Sequence, residues 1–347
     1  MIQGFSTGGE YGGAATYMAE YALVIVAREA DSPPRNSPRQ TVASGVSARH
    51  LVALKRGNAC KGHGAIRVAQ IHFPEVRTGM NNTADDVALA LSLADEAESM
   101  TMPRFTAVDL YAKARLEDTP LTEAYRDVDV ALRRRLAMKR PQDTTFETLR
   151  GPKQFAGRIW IIEPLDGRKN FIRGVPVWAT LIALMVDGVP TVGVINAPAL
   201  HRRWWAAAGQ GAYATRWAES ARRLSVSAID ELGAASLSFS SLSSWGVLGL
   251  RERFIVLTDD VWRARGYGDF YSYCLVAEGT ADIALAAQVS VRQLAAPDIL
   301  VREAGGTFTD LGGSPGPHGN TAAATNGPLH NAVLGRFYGT AAVHQTM

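Results

Sequence analysis

The chain has 347 residues, a hydrophobic fraction of 47% and a formal net charge of +3, enough apolar material for one large domain or two smaller ones. No uninterrupted apolar run of 18 or more residues occurs, and the opening MIQGFSTGGEYGG lacks the basic-then-apolar order of a secretory leader. A membrane protein is therefore not expected, and the cytoplasm is the expected compartment. The two cysteines, Cys60 and Cys274, carry no CxxC spacing, so neither a disulfide framework nor a thiolate zinc site is indicated.

In chain order, residues 1–79 come first, with nine Lys/Arg against five Asp/Glu, leaving 27 against 28 for the rest. The basic residues are scattered singly among Gly, Ser and Pro (SPPRNSPRQ), the texture of a poorly ordered, solvated extension rather than a nucleic-acid-binding arm. At Met80 the texture changes. Thr83 or Asp85 is expected to cap a helix over Val87-Ala-Leu-Ala-Leu-Ser-Leu-Ala-Asp-Glu-Ala, opening a domain that spans residues 80–347. A second helix is predicted after Thr122, with Val128, Leu132 and Leu136 on its apolar face and Arg133 to Arg135 largely on its wet one.

Strand character follows at 159–162, 178–186 and 191–195, and Asp187-Gly188 between the last two is a two-residue hairpin signal. Further strands are predicted at 234–239 and 253–257. A helix through Val301 should end at Gly305-Gly306, leading into a strand at Thr307 to Asp310. Helices, then antiparallel strands, then mixed segments predict a layered α/β sandwich, with an α+β half at about 80–215 and an αβ half at about 216–335.

The chemistry concentrates in Ile161-Ile-Glu-Pro-Leu-Asp-Gly-Arg-Lys-Asn-Phe171. Pro164 forces the chain out of helix, and Gly167 permits a sharp turn directly after Asp166. Two carboxylates at a strand end, with a backbone carbonyl between them, suit a hard cation such as Mg²⁺. An ordinary solvated turn has the same composition, and these residues alone leave both readings open.

Glu163-Pro-Leu-Asp-Gly-Arg-Lys-Asn-Phe resembles the D-P-[IL]-D-G-T-x-N-F motif of the inositol monophosphatase family. Gly174-Val-Pro-Val-Trp-Ala-Thr-Leu-Ile-Ala-Leu, Gly193-Val-Ile-Asn-Ala-Pro, Leu294-Ala-Ala-Pro-Asp-Ile-Leu-Val-Arg-Glu-Ala-Gly-Gly and Ala324-Thr-Asn-Gly resemble its later segments. Tyr267-Gly-Asp-Phe-Tyr-Ser-Tyr-Cys-Leu-Val-Ala-Glu-Gly and Ser236-Leu-Ser-Phe-Ser-Ser are most similar to the histidinol-phosphatase branch. The resemblance implies a layered αβαβα sandwich of the inositol monophosphatase and fructose-1,6-bisphosphatase type. It also implies Mg²⁺-dependent hydrolysis of a small phosphorylated metabolite, L-histidinol phosphate in histidine biosynthesis, by a homodimer. Inositol or sugar phosphates are the alternative substrates.

Carried over by position, Glu147, Glu163, the Leu165 carbonyl, Asp166 and Gln293 become metal ligands. Glu147 and Asp166 become the catalytic carboxylates, Gly167 and Arg168 supply amides to the phosphate, and Asp269 reaches the substrate. In the family, two or three Mg²⁺ ions activate water and clamp the attacking and leaving oxygens.

Five positions depart from the family's pattern. Glu163 stands for an aspartate, Arg168 for the threonine that orients the water, and Tyr125 for that threonine's aspartate partner. Arg292-Gln293 replaces a Trp-Asp pair. Lost carboxylates and an added guanidinium lower metal affinity, so the alternative is a protein that binds phosphate without turnover. Arg168 is read either as a solvated turn residue or as a phosphate grip. His201 is read as a strand or surface residue, and Trp204 and Trp205 as packing residues. The absence of a G-x-S-x-G elbow disfavours a serine hydrolase.

Overall fold

The computed structural model describes residues 81–105, 119–146, 155–216 and 219–338; the extension expected over 1–79 and Glu147 lie outside them. Helix α1 (Asn81–Phe105) places Val87, Ala90, Ala94 and Ala97 at spacings of three and four, and all four are buried. Such spacing makes one apolar stripe on a helix. Helix α2 (Thr119–Lys139) buries Val128, Leu132 and Leu136 in the same cluster. Each such side chain contributes about 1.5–3 kcal/mol when removed from water.

Both helices begin earlier than the sequence reading placed them. Thr83 and Asp85 therefore lie inside α1 rather than at its cap, and α2 already covers Thr122. The Arg133–Arg135 face is half-buried in part. Arg133 pairs with Asp129 one turn back, and Arg135 reaches across to Glu96 of α1.

The first sheet runs in the order β1 (Thr144–Thr145), β2 (Arg158–Asp166), β3 (Ala179–Val186), β4 (Val189–Ala197), β5 (Arg202–Ala207), β6 (Gly211–Arg216) and β7 (Arg222–Arg223). All its pairings are antiparallel except β1 with β2. The hairpin forms where the sequence placed it: Asp187 and Gly188 both take positive φ, 49° and 84°, as a primed turn requires. Alternation sorts β2. Trp160 and Ile162 face α1 and α2, whereas Ile159 and Ile161 face the opposite layer. Trp204 and Trp205 are buried on opposite faces of β5 and act in packing, as expected.

The opposite layer contains α6 (Asp269–Ala277) and α7 (Val291–Glu303), which also cover one face of a second sheet. That sheet runs β11 (Thr307–Thr309), β12 (Thr321–Thr325), β10 (Ile283–Ala287), β8 (Ser236–Phe239) and β9 (Arg263–Arg265). Its other face is covered by α4 (Leu242–Val247), α5 (Arg251–Asp260) and α8 (His330–Tyr338), through Trp245, Phe254, Leu257, Val333 and Phe337. The layers alternate α, β, α, β, α.

Close approach holds the middle layer. A Cβ on Gly193 of β4 would sit 2.5 Å from the Ile299 Cγ2 and 2.9 Å from the Ala296 carbonyl oxygen of α7. Only a residue without a side chain fits there.

The strand expected at 253–257 is instead part of α5. Phe254 and Leu257, three apart, are buried, while Ile255 and Val256 are exposed. The apolar run is β-branched, but its burial follows a helical period, and tertiary packing overrides propensity. The helix before Gly305 ends as predicted, with Gly305 at φ 92°, and β11 follows it.

Candidate active site

The candidate site forms where the end of β2, the first turns of α6 and α7, and the middle of α2 meet. Register between β2 and β3 shifts between Glu163 and Asp166, and the Thr180 hydroxyl donates to the Pro164 carbonyl at 2.8 Å. The bulge re-aims the strand end, so two carboxylates of one strand reach one cavity. Gly167 then turns the chain at φ 78°, and a Cβ there would lie 2.7 Å from the Val177 carbonyl oxygen. The short helix α3 (Arg168–Ile172) follows, fastened by the Asn170 side-chain amide, which donates to that same Val177 carbonyl.

The cavity, about 570 Å³, is lined by Glu163, Asp166, Arg168, Asp269, Arg292 and Gln293, with Tyr125, Asp129, Leu165, Gly167 and Lys169 completing its polar wall. Of the residues singled out from sequence, Glu163, Leu165, Asp166, Gly167, Arg168, Asp269 and Gln293 thus come together. A smaller cavity of about 160 Å³ shares Asp166, Asp269 and Gln293 and is bounded by Ser240, Ser244 and Tyr273. The Tyr273 hydroxyl is buried and has no hydrogen-bond partner within the protein. His201 sits in an exposed turn away from these cavities.

Asp166 is the centre of the site. Its carboxylate accepts the Phe270 backbone N–H at the start of α6 at 2.8 Å and the Gln293 side-chain amide at 3.2 Å. Two hydrogen bonds do not balance its environment. Burial, reinforced by Asp269 and Glu163, pushes its pKa up to about 7. Burial also raises Asp269, against the opposing pull of Lys169. Asp269 adopts φ 49°, a left-handed conformation uncommon for a residue with a side chain. Glu163 is raised by burial too, and the adjacent Arg168 opposes the shift.

Gln293 is spent on local structure. It forms a capping box with Ser290 at the start of α7, its oxygen accepting the Ser290 backbone N–H at 3.2 Å. Its nitrogen therefore faces Asp166; offering the oxygen there instead would require turning the amide over and giving up the Ser290 bonds.

Four of the five departures from the family's pattern are joined. Arg168 donates to Glu163 at 3.1 Å and lies 4.0 Å over the Tyr125 ring, whose hydroxyl accepts from Arg292 at 2.7 Å. Arg292 also lies 5.9 Å from the Phe146 ring. The sequence reading identified the Tyr125, Arg168 and Arg292 replacements but gave no role to Arg292, Lys169 or Asp129. Tyr125 and Arg292 are separated by 167 residues, a contact that periodicity and motif spacing do not reveal.

The model of the inositol monophosphatase family matches residues 83–341. The chain is 59% identical over 254 residues to a histidinol-phosphatase of Mycobacterium tuberculosis, covering 73% of this chain and 98% of that protein. It is 47% identical over 260 residues to a histidinol-phosphatase of Streptomyces coelicolor, covering 74% and 98% respectively. Its fold matches an inositol monophosphatase from Zymomonas mobilis with a TM-score of 0.65 at 27% identity, over 75% of this chain and 99% of that one.

Proposed function

The chain belongs to the inositol monophosphatase family, and from that membership we propose that it hydrolyses phosphomonoesters, with L-histidinol phosphate as its substrate in histidine biosynthesis. The carrying observation is the bulged end of β2, which delivers Glu163 and Asp166 to the same cavity as Asp269. Relatives matched over nearly their whole length, named as histidinol-phosphatases, support the substrate.

The donors at the site are hard oxygens of the kind Mg²⁺ takes, although among the described residues no three metal-binding side chains are grouped to hold an ion. Asp166 is held far above its ordinary pKa because burial and neighbouring carboxylates leave its charge without a counterion. In this reading Glu163, the Leu165 carbonyl and Asp166 hold the ion together with Glu147, with Gln293 beside Asp166. A divalent ion bound there supplies Lewis-acid stabilisation of negative charge developing on oxygen.

The chain's own groups do the remainder. The backbone N–H groups of Gly167 and Arg168 receive phosphoryl oxygens, and Asp269 orients the alcohol portion of the ester. Glu147 and Asp166 are the catalytic carboxylates. The side chains at 125 and 168 cannot themselves take the water-orienting role, because a phenol and a guanidinium are both proton-bearing at neutral pH. Turnover is therefore expected to be well below that of a relative with the full pattern.

A phosphate-release screen over histidinol phosphate, inositol phosphates and sugar phosphates with Mg²⁺ tests the reading. Histidinol phosphate should be preferred, and Glu147→Ala and Asp166→Ala should abolish release; turnover surviving both substitutions overturns the assigned site. The contact of Arg168 with both Tyr125 and Glu163 favours a second reading, phosphate binding without hydrolysis. Release from none of the esters, together with measurable binding of phosphate, would favour that reading instead. The proposal takes the protein as a cytoplasmic homodimer, which fractionation and sedimentation velocity check.

A further inference from the structure

The charge around the cavity has been redistributed between side chains and whatever ions the site takes. Among its described lining residues, four carboxylates (Asp129, Glu163, Asp166 and Asp269) stand against three cations (Arg168, Lys169 and Arg292), a formal charge of −1. With the family's aspartates at 125 and 293, threonine at 168 and tryptophan at 292, the same wall would hold six carboxylates against Lys169 alone, a formal charge of −5. A wall at −5 binds a phosphate dianion only after several divalent ions have been drawn in. A wall at −1 repels the dianion far less, so that less divalent charge is needed before it binds.

The added guanidiniums are also positioned. Arg168 stacks on one face of the Tyr125 ring and Arg292 donates to that ring's hydroxyl, so a single half-buried phenol fixes both at the cavity wall. Arg168 lines the cavity and its side chain is 48% exposed, although one of its nitrogens is engaged by Glu163. A guanidinium has five N–H donors, so that bond leaves donors able to grip phosphate oxygens.

We propose that Arg168 and Arg292, held by Tyr125, form a phosphate clamp that replaces part of the divalent-ion charge, so that this chain binds a phosphate monoester dianion without Mg²⁺. The clamp deepens the phosphomonoesterase reading by naming what holds the phosphoryl group. It is read by binding alone, so a lack of turnover on histidinol phosphate would overturn the activity and leave the clamp standing.

The test is calorimetric titration of the full chain with inorganic phosphate, in EDTA and again in Mg²⁺. Affinity in EDTA should lie within about tenfold of that in Mg²⁺. Arg168→Gln and Arg292→Gln should each weaken binding in EDTA by about tenfold or more, the scale of a lost charge-assisted hydrogen bond. Arg168→Lys, which keeps the charge and loses the planar fork, should fall between. Arg222→Gln, at an exposed arginine of β7, should change nothing, and unfolding transitions show whether each variant is folded. Phosphate binding that appears only with Mg²⁺, that is indifferent to Arg168→Lys and Arg168→Gln, or that falls equally in Arg222→Gln would overturn the clamp.

Discussion

The guanidinium of Arg168 lies 4.0 Å above the ring of Tyr125, so the two residues that the sequence reading sets in place of the family's water-orienting threonine and aspartate are in direct contact. A cation–π pair of this kind is worth about 0.5–2 kcal/mol depending on its exposure. The departures at 125 and 168 therefore form one substitution in space. Arg292 extends it through the Tyr125 hydroxyl, and the neighbouring Gln293 closes on Asp166.

Restoring single positions should accordingly do little. Arg168→Thr alone leaves Glu163 without its guanidinium partner and leaves a phenol where the proton acceptor belongs. Tyr125→Asp alone places a carboxylate between two arginines that neutralise it. The combined Tyr125→Asp, Arg168→Thr and Gln293→Asp chain should raise Mg²⁺-dependent phosphate release by about 100-fold or more, the scale of a restored general base. The single substitutions should sum to far less. Parallel kcat measurements on the parent, the singles and the triple check this, and a parent as fast as the triple would show that the departures do not limit turnover.

Asp166 carries a stability prediction opposed to its function. In the folded chain its pKa is pushed up to about 7 from a reference of 3.8, so the folded state binds the proton more tightly than the unfolded one. Stability from this group is full below pH 3.8 and is lost as pH rises through about 7. Asp166→Asn removes the charge and keeps an oxygen for the Phe270 N–H. In EDTA at pH 8 it should stabilise the fold by about 1–2 kcal/mol while abolishing phosphate release, and the gain should shrink as pH falls below 7 and vanish only near pH 3.8. Urea unfolding across pH 4–8 reads both; a variant less stable than the parent at pH 8 would show that the fold compensates the Asp166 charge.

What the sequence disclosed and what it hid divide along physical lines. The Asp187-Gly188 turn, the Gly305 helix end and the Glu163 to Gly167 turn were legible because each rests on local backbone chemistry. The α5 helix was missed because Phe254 to Leu257 is apolar throughout, and only burial separates Phe254 and Leu257 from Ile255 and Val256. The replacements at 125, 168, 292 and 293 were all visible against the motif. Their joining around one phenol ring was not, because it depends on α2 and α7 meeting at the end of β2.

Gly193 tests the packing of the central layer. Its β4 position leaves an added Cβ 2.5 Å from the Ile299 side chain and 2.9 Å from the Ala296 carbonyl oxygen, and backbone cannot yield as a side-chain tip can. Gly193→Ala should destabilise the protein by about 1–3 kcal/mol through overpacking. Thermal unfolding measures the loss. Ile299→Leu, which removes the Cγ2 branch at constant volume, together with Gly193→Ala should recover only part of it, because the Ala296 oxygen remains in the way. Full recovery would place the whole clash on the Ile299 methyl.

His330 gives the opposite pH dependence from Asp166. Its ring lies between two hydroxyls, with Nε2 3.0 Å from Thr309 Oγ1 and Nδ1 3.1 Å from Thr325 Oγ1. Neither partner carries a charge to support an imidazolium. Burial lowers its pKa from 6.5 to about 4, so the unfolded chain binds the proton first as the solution is acidified. This contribution is full above pH 6.5 and is lost as pH falls towards 4. Its size is about 3 kcal/mol if the whole shift is realised. His330→Gln keeps a donor and an acceptor but does not titrate in this range. The parent should therefore lose stability relative to the variant between pH 6.5 and 4, measured by urea unfolding in EDTA. A difference that stays constant across that window would mean that the imidazole is charged in the fold, and the neutral ring between Thr309 and Thr325 would have to be abandoned.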